Sequence, residues 1–190
     1  GIAMNRALLE NIFTLFVCIN TKVPVIICGK PGCSKSLSFQ LLYKSMKGQD
    51  SEKEFFKIFP KLYINSYQGS ETSTSEGVLK IFEKARGLLR NEKEKDKMIS
   101  LVYFDEMGLA EISPNNPLKV IHSELEYDDN NDKIAFVGIS NWVLDAAKMN
   151  RAVYLSIPEP DVEDLITTGK SIAESYRPGI YTTFKSVFDG

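Results

Sequence analysis

The chain has 190 residues, enough for one substantial core, and its 43% hydrophobic and 25% charged residues are those of an ordinary soluble globular protein. A formal net charge of -2 offers no global field for nucleic acid or an anionic membrane, so no nucleic-acid partner is expected. Three cysteines (Cys18, Cys28 and Cys33) without C-x-x-C spacing, and a lone His122, argue against a disulfide framework or a zinc centre. They point to a reducing, cytoplasmic setting.

Leu9, Ile12, Phe13, Phe16 and Val17 recur at helical spacing, which predicts an amphipathic helix over residues 5–19. Glu10, Asn11, Asn20 and Lys22 interrupt the apolar stretch around it, so no transmembrane segment or signal peptide is expected. The opening Gly1-Ile2-Ala3-Met4 does not look like a natural start and suggests a piece of a longer chain. A β-branched run over 23–28 reads as a buried strand. Phe39, Leu42, Tyr43 and Met46 mark a second helix, with Gly48 as its stop.

Residues 62–66 read as a strand, and Ser73 with Glu76 has capping-box spacing. The stripe of the helix that follows is Val78, Ile81, Phe82, Ala85 and Leu89. The charged run 91–97 is expected to be a solvated loop, and 99–104 a third strand. A helix is predicted over 116–126, strands over 134–139 and 152–157, and a last helix capped by Asp161. That helix carries Val162, Leu165, Ile166, Ile172, Ala173 and Tyr176 on one face. Strands alternating with helices imply an α/β fold: a mainly parallel five-stranded sheet between two helical layers.

The first strand runs straight into Gly29-Lys30-Pro31-Gly32-Cys33-Ser34-Lys35-Ser36, and a helix follows. Strand, a loop close to the G-x-x-x-x-G-K-[ST] pattern and helix are the context in which backbone N–H groups wrap a phosphate chain. Lys35 would neutralise the β- and γ-phosphates of ATP, and Ser36 would give a hydroxyl to Mg²⁺. Ser34 departs from the pattern by standing where a glycine belongs. If that position is left-handed, serine costs about 1–2 kcal/mol there.

The third strand ends in Asp105-Glu106. Buried strands rarely end in paired acids unless a cation sits there. Asp105 suits the metal, and Glu106 suits the attacking water. Asn141, after the fourth strand, would lie near the γ-phosphate; its plainer reading is a turn residue. Arg151, before the fifth strand, is a guanidinium that could reach a neighbouring module's γ-phosphate, or else a surface arginine. Trp142 is expected to pack under the preceding loop, and His122 to sit at the core edge.

In this order the motifs resemble the AAA+ ATPases, which often place a substrate-gripping loop where Tyr67-Gln68-Gly69 follows the second strand. Asp105-Glu106-Met107-Gly108-Leu109-Ala110-Glu111, Gly138-Ile139-Ser140-Asn141-Trp142 and the stretch from Leu144 to Arg151 resemble AAA+ modules of the mysterin type, which belong to giant ring-finger ubiquitin ligases. The resemblance implies a three-layer P-loop NTPase fold, with 1–158 as the nucleotide-binding domain and 159–190 as the beginning of a truncated helical lid. It implies that Gly29, Lys30, Pro31, Gly32, Cys33, Ser34, Lys35, Ser36 and Leu37 hold the nucleotide. It further implies that Ser36 and Asp105 serve Mg²⁺, and that Glu106, Asn141 and Arg151 serve hydrolysis. The implied partners are other AAA+ modules of one chain or neighbouring subunits, and a protein client. No ring-finger cysteines occur here, so any ligase activity would lie elsewhere in the parent. The expected function is Mg²⁺-dependent ATP hydrolysis driving conformational change; the alternative is a nucleotide-gated structural module with little turnover.

Overall fold

The computed structural model describes residues 2, 4–126, 133–145 and 150–180. One sheet runs through them: β1 (Val25–Cys28), β2 (Lys61–Gln68), β3 (Met98–Asp105), β4 (Ala135–Ser140) and β5 (Val153–Ser156). The spatial order is β2-β3-β4-β1-β5, and every neighbouring pair is parallel. The helices are α1 (Arg6–Thr21), α2 (Lys35–Ser45), α3 (Glu54–Lys57), α4 (Ser75–Asn91), α5 (Met107–Glu111), α6 (Lys119–Glu124) and α7 (Val162–Tyr176).

Side-chain alternation along the strands decides the layers. In β3, Met98, Val102 and Phe104 point into a core with Val78, Phe82, Ala85 and Leu89 of α4, Met107 of α5 and Ile121 of α6. Ile99, Leu101 and Tyr103 point the other way, towards Leu15 and Ile19 of α1 and Phe39 and Leu42 of α2. In β4, Phe136 joins the first core and Ala135, Val137 and Ile139 the second. Both central strands, β1 and β4, are buried at every position, which is why they read as unbroken apolar runs. Among the described residues no helix is long and apolar enough to cross a membrane.

The element boundaries correct the sequence reading in several places. Asn5 caps α1, its Oδ1 accepting from the Leu8 N–H at 2.9 Å, and the helix continues to Thr21 before Lys22 (φ 55°) ends it in a left-handed C-cap. Thr74, not Ser73, caps α4, accepting from the Gly77 N–H at 3.1 Å. Ser73 instead accepts from the Ser113 and Asn115 side chains through its carbonyl, tying the approach to α4 to the loop after α5. The helix predicted over 116–126 is only α6, because Asn116 itself takes a left-handed backbone (φ 46°). Tyr43, counted in an apolar stripe, is exposed. Asp161 does cap α7, yet no residue of that helix is buried: Val162 is 72% and Tyr176 86% exposed. Local capping suffices to start that helix; the described residues leave most of its apolar side exposed.

Candidate active site

In an open parallel sheet ligands meet the carboxyl ends of the strands. Here β1, β3 and β4 all end at one recess of roughly 360 Å³. Its lining includes Pro31, Gly32, Ser34, Lys35, Ser36 and Leu37 from the loop after β1, Asp105 and Glu106 after β3, and Asn141 after β4.

The loop needs two left-handed residues to turn from β1 into α2, Gly32 (φ 89°) and Ser34 (φ 57°). Serine therefore does bear the conformation the pattern reserves for glycine, at about 1–2 kcal/mol. The Gly29 N–H donates to the Ser140 carbonyl at 3.2 Å, which fastens the loop's start to β4. Lys35 is 5% exposed, and its Nζ donates to the carbonyls of Gly29 (2.6 Å) and Lys30 (2.8 Å). Two carbonyl dipoles orient this ammonium without neutralising it, so its charge stays available to an anion in the loop.

Asp105 is held at both oxygens. Oδ1 accepts from the Glu106 N–H at 2.9 Å, and Oδ2 from the Tyr103 hydroxyl at 3.3 Å. Burial, and then the Asp105 charge, push the Tyr103 phenol up to about 12, so it remains a protonated donor at neutral pH. Glu106 sits in a left-handed conformation (φ 51°, ψ 44°) that swings its side chain across to β4. There the Asn141 Nδ2 donates to both its oxygens, at 3.0 and 2.8 Å. The amide orientation follows from the carboxylate, which can only accept.

The donor set fits Mg²⁺. A hydroxyl at Ser36 and a carboxylate at Asp105 are hard oxygen ligands, and this ion typically takes one or two carboxylates together with substrate phosphates. Among the described residues no three His, Cys, Asp or Glu side chains converge.

Four residues expected at the site stand apart from the recess. Gly29 lies behind the loop, where a Cβ would meet Ile157 at 3.1–3.2 Å. Lys30 turns outward to pair with Glu159. Cys33 lines a second cavity of about 100 Å³ on the loop's other side, with Asn5, Leu8, Ile157, Pro158 and Leu165. Arg151 pairs with Glu126 at 2.9 Å and is half-exposed. Since Val153 is in register with Val25 and Ser156 with Cys28, Arg151 lies at the end of the sheet away from its own recess. Of the mysterin-like stretch from Leu144 to Arg151, residues 146–149 lie outside the described ones.

Sequence reasoning missed three supports. The Gly69 N–H donates to the Asp105 carbonyl at 2.8 Å, and a Cβ on Gly69 would press into the Glu106 carbonyl group, 2.9 Å from its carbon. Trp142 packs not under its own loop but on Gly108, where a Cβ would lie 2.7 Å from Cζ2. Tyr103 is the third, and period two placed it on the Asp105 face all along. Tyr67, at the position expected of a gripping loop, is part of β2 and packs edge-on against Phe104 at 4.9 Å.

Because the clash at Gly69 is with backbone, Gly69→Ala is expected to destabilise the fold by about 1–3 kcal/mol, or about 3–10 °C in Tm. Calorimetric melting checks it. An unchanged Tm would mean that β2 and the acidic pair are not packed this closely.

A profile of the RNF213 AAA domain family matches residues 1–164. The chain is 42% identical over 186 residues to E3 ubiquitin-protein ligase rnf213-beta of Danio rerio, covering 93% of this chain and 4% of that one. It is 40% identical over 180 residues to E3 ubiquitin-protein ligase RNF213 of Homo sapiens, covering 92% and 3%. The chain thus spans only a small part of the curated relatives it matches. Among solved structures, C. elegans PCH-2 superposes with a TM-score of 0.62 at 19% identity, over 90% of this chain and 47% of that one. The closed state of Hsp104 with ATPγS and FITC casein gives 0.55 at 13% identity, over 94% and 31%. At those identities the likeness speaks for the fold alone, a three-layer α/β P-loop architecture with a parallel five-stranded sheet. Family and fold agree: the chain belongs to the RNF213 AAA domain family and is an AAA+ module of the mysterin type.

Proposed function

We propose that this module binds Mg²⁺-ATP and hydrolyses it to move neighbouring AAA+ modules of a longer chain, neighbouring subunits or a protein client. One observation carries the reading. A buried, un-neutralised ammonium (Lys35), a hydroxyl (Ser36), an oriented carboxylate (Asp105) and an amide-held carboxylate (Glu106 with Asn141) converge on one recess. Phosphoryl transfer asks a protein for positioning and charge compensation, and these groups supply both.

The N–H groups of residues 32–37 and Lys35 would hold the β- and γ-phosphates. Ser36 and Asp105 would hold Mg²⁺, which on binding neutralises charge on the phosphate oxygens. Glu106 would orient the attacking water, and Asn141 would set the direction of that carboxylate. The second cavity, walled by Leu8, Ile157, Pro158 and Leu165, would take the flat faces of the purine base. Arg151, facing away from its own recess, would serve a nucleotide held by a neighbour.

The second reading, a nucleotide-gated module with little turnover, draws on the grip of Asn141 on both Glu106 oxygens. Calorimetric ATP titration of the 190-residue chain with and without Mg²⁺, beside steady-state phosphate release, tests both. Saturable binding with phosphate release that EDTA abolishes is the expected result. Binding without Mg²⁺-dependent release would leave the gated module standing, and no binding at millimolar ATP would sink both.

A further inference from the structure

The Tyr103 hydroxyl is in excess of what packing needs. Its ring stacks on Phe39 with centroids 4.2 Å apart and planes 13° from parallel. Phenylalanine would make that stack without desolvating an oxygen, and the preceding residues on the same face of β3, Ile99 and Leu101, are apolar. Buried tyrosines instead spend the hydroxyl on a partner. Here the partner is Asp105 Oδ2, at 3.3 Å.

Both attachments of this residue run between the two elements that carry the cation ligands. Phe39 lies one helical turn beyond Ser36 on α2, and Asp105 lies two residues beyond Tyr103 on β3. The ring stack therefore sets the spacing of α2 from β3. The hydroxyl sets the rotation of the carboxylate, whose other oxygen is tied to the Glu106 N–H. We propose that Tyr103 is a positioning residue of the cation site, aiming the Asp105 carboxylate at the Ser36 hydroxyl. This rests on the Mg²⁺-ATP reading above.

The test is the metal dependence of nucleotide affinity, measured by calorimetry as the ratio of ATP dissociation constants in EDTA and in Mg²⁺. At 3.3 Å the hydrogen bond is long and its share is that of one weak bond to a charged group. Tyr103→Phe is thus expected to lower the ratio roughly three- to tenfold while leaving affinity in EDTA within about twofold. Tm should change little, since the stack remains; Tyr103→Leu should lower both the ratio and Tm. An Asp105→Asn variant, expected to collapse the ratio, separates the two levels of inference. If it does so and Tyr103→Phe leaves the ratio unchanged, the role of Tyr103 is overturned and the nucleotide reading survives. Equal losses in EDTA and in Mg²⁺ would also overturn it, because the hydroxyl would then be supporting the loop rather than the metal. A wild-type chain whose ATP affinity ignores Mg²⁺ would remove the metal site and this proposal together.

Discussion

Lys35→Ala is expected to weaken ATP binding at least a hundredfold, roughly 3 kcal/mol, while the fold survives. The size follows from what the side chain does before any anion arrives. The residue is 5% exposed and its ammonium rests on two backbone carbonyls at 2.6 and 2.8 Å, so most of its desolvation has been met during folding. A triphosphate would then gain charge-assisted hydrogen bonds from a cation already in place. Truncation removes the charge, and the freed carbonyls of Gly29 and Lys30 would oppose the anion. The cost to stability is expected to stay near 1 kcal/mol, because the space vacated by the Lys35 side chain would open to the recess and admit water to those carbonyls. Calorimetric titration with a melting control decides it. An affinity within threefold of wild type, in a variant that melts like wild type, would show that residues 29–36 are not a phosphate loop.

What could be read in the sequence was whatever depends on short-range pattern. The unbroken apolar runs of β1 and β4 gave away central parallel strands, since burial on both faces leaves no polar alternation. The loop into α2 was legible because glycines, a lysine and a serine sit between a strand and a helix at fixed spacing. Asp105-Glu106 stood out because two acids at the end of an apolar strand need a cause. What escaped depends on contacts that spacing does not encode. Helix α5 has five residues, too few to show a period, and it is Trp142, over 30 residues away, that packs on its Gly108. The α4 cap slipped by one because Ser73 and Thr74 are chemically alike, and only the loop pinned by Ser113 and Asn115 chooses between them. Tyr103 lies within the predicted third strand, where alternation shows which face a residue takes and not what its tip reaches. The α7 stripe is the converse case. Its periodicity was real, but an apolar side carries no information about what will cover it.

Glu106→Gln is expected to keep ATP binding within a few-fold of wild type and to slow phosphate release by a factor on the order of 10²–10⁴, the range for a lost general base. Among the described residues the carboxylate's hydrogen bonds come from Asn141, at 3.0 and 2.8 Å, so the binding surface for the triphosphate is expected to be intact. Chemistry is another matter. A glutamine offers one oxygen and one amide nitrogen where two anionic oxygens now accept from the same Asn141 Nδ2. Asn141 can meet that change by presenting its own oxygen to the new donor, so the pair stays hydrogen-bonded and the backbone at Glu106 has no cause to move. What the variant loses is the negative charge that would draw a proton from water. That loss is felt in the transition state and not in the bound nucleotide, so the effect should fall on kcat with KM nearly unchanged. Comparing single-turnover phosphate release with calorimetric affinity separates the two. Equal release by both forms, with ATP bound equally well, would take the hydrolytic role away from Glu106. The grip of Asn141 would then be a feature of a module that holds ATP without spending it.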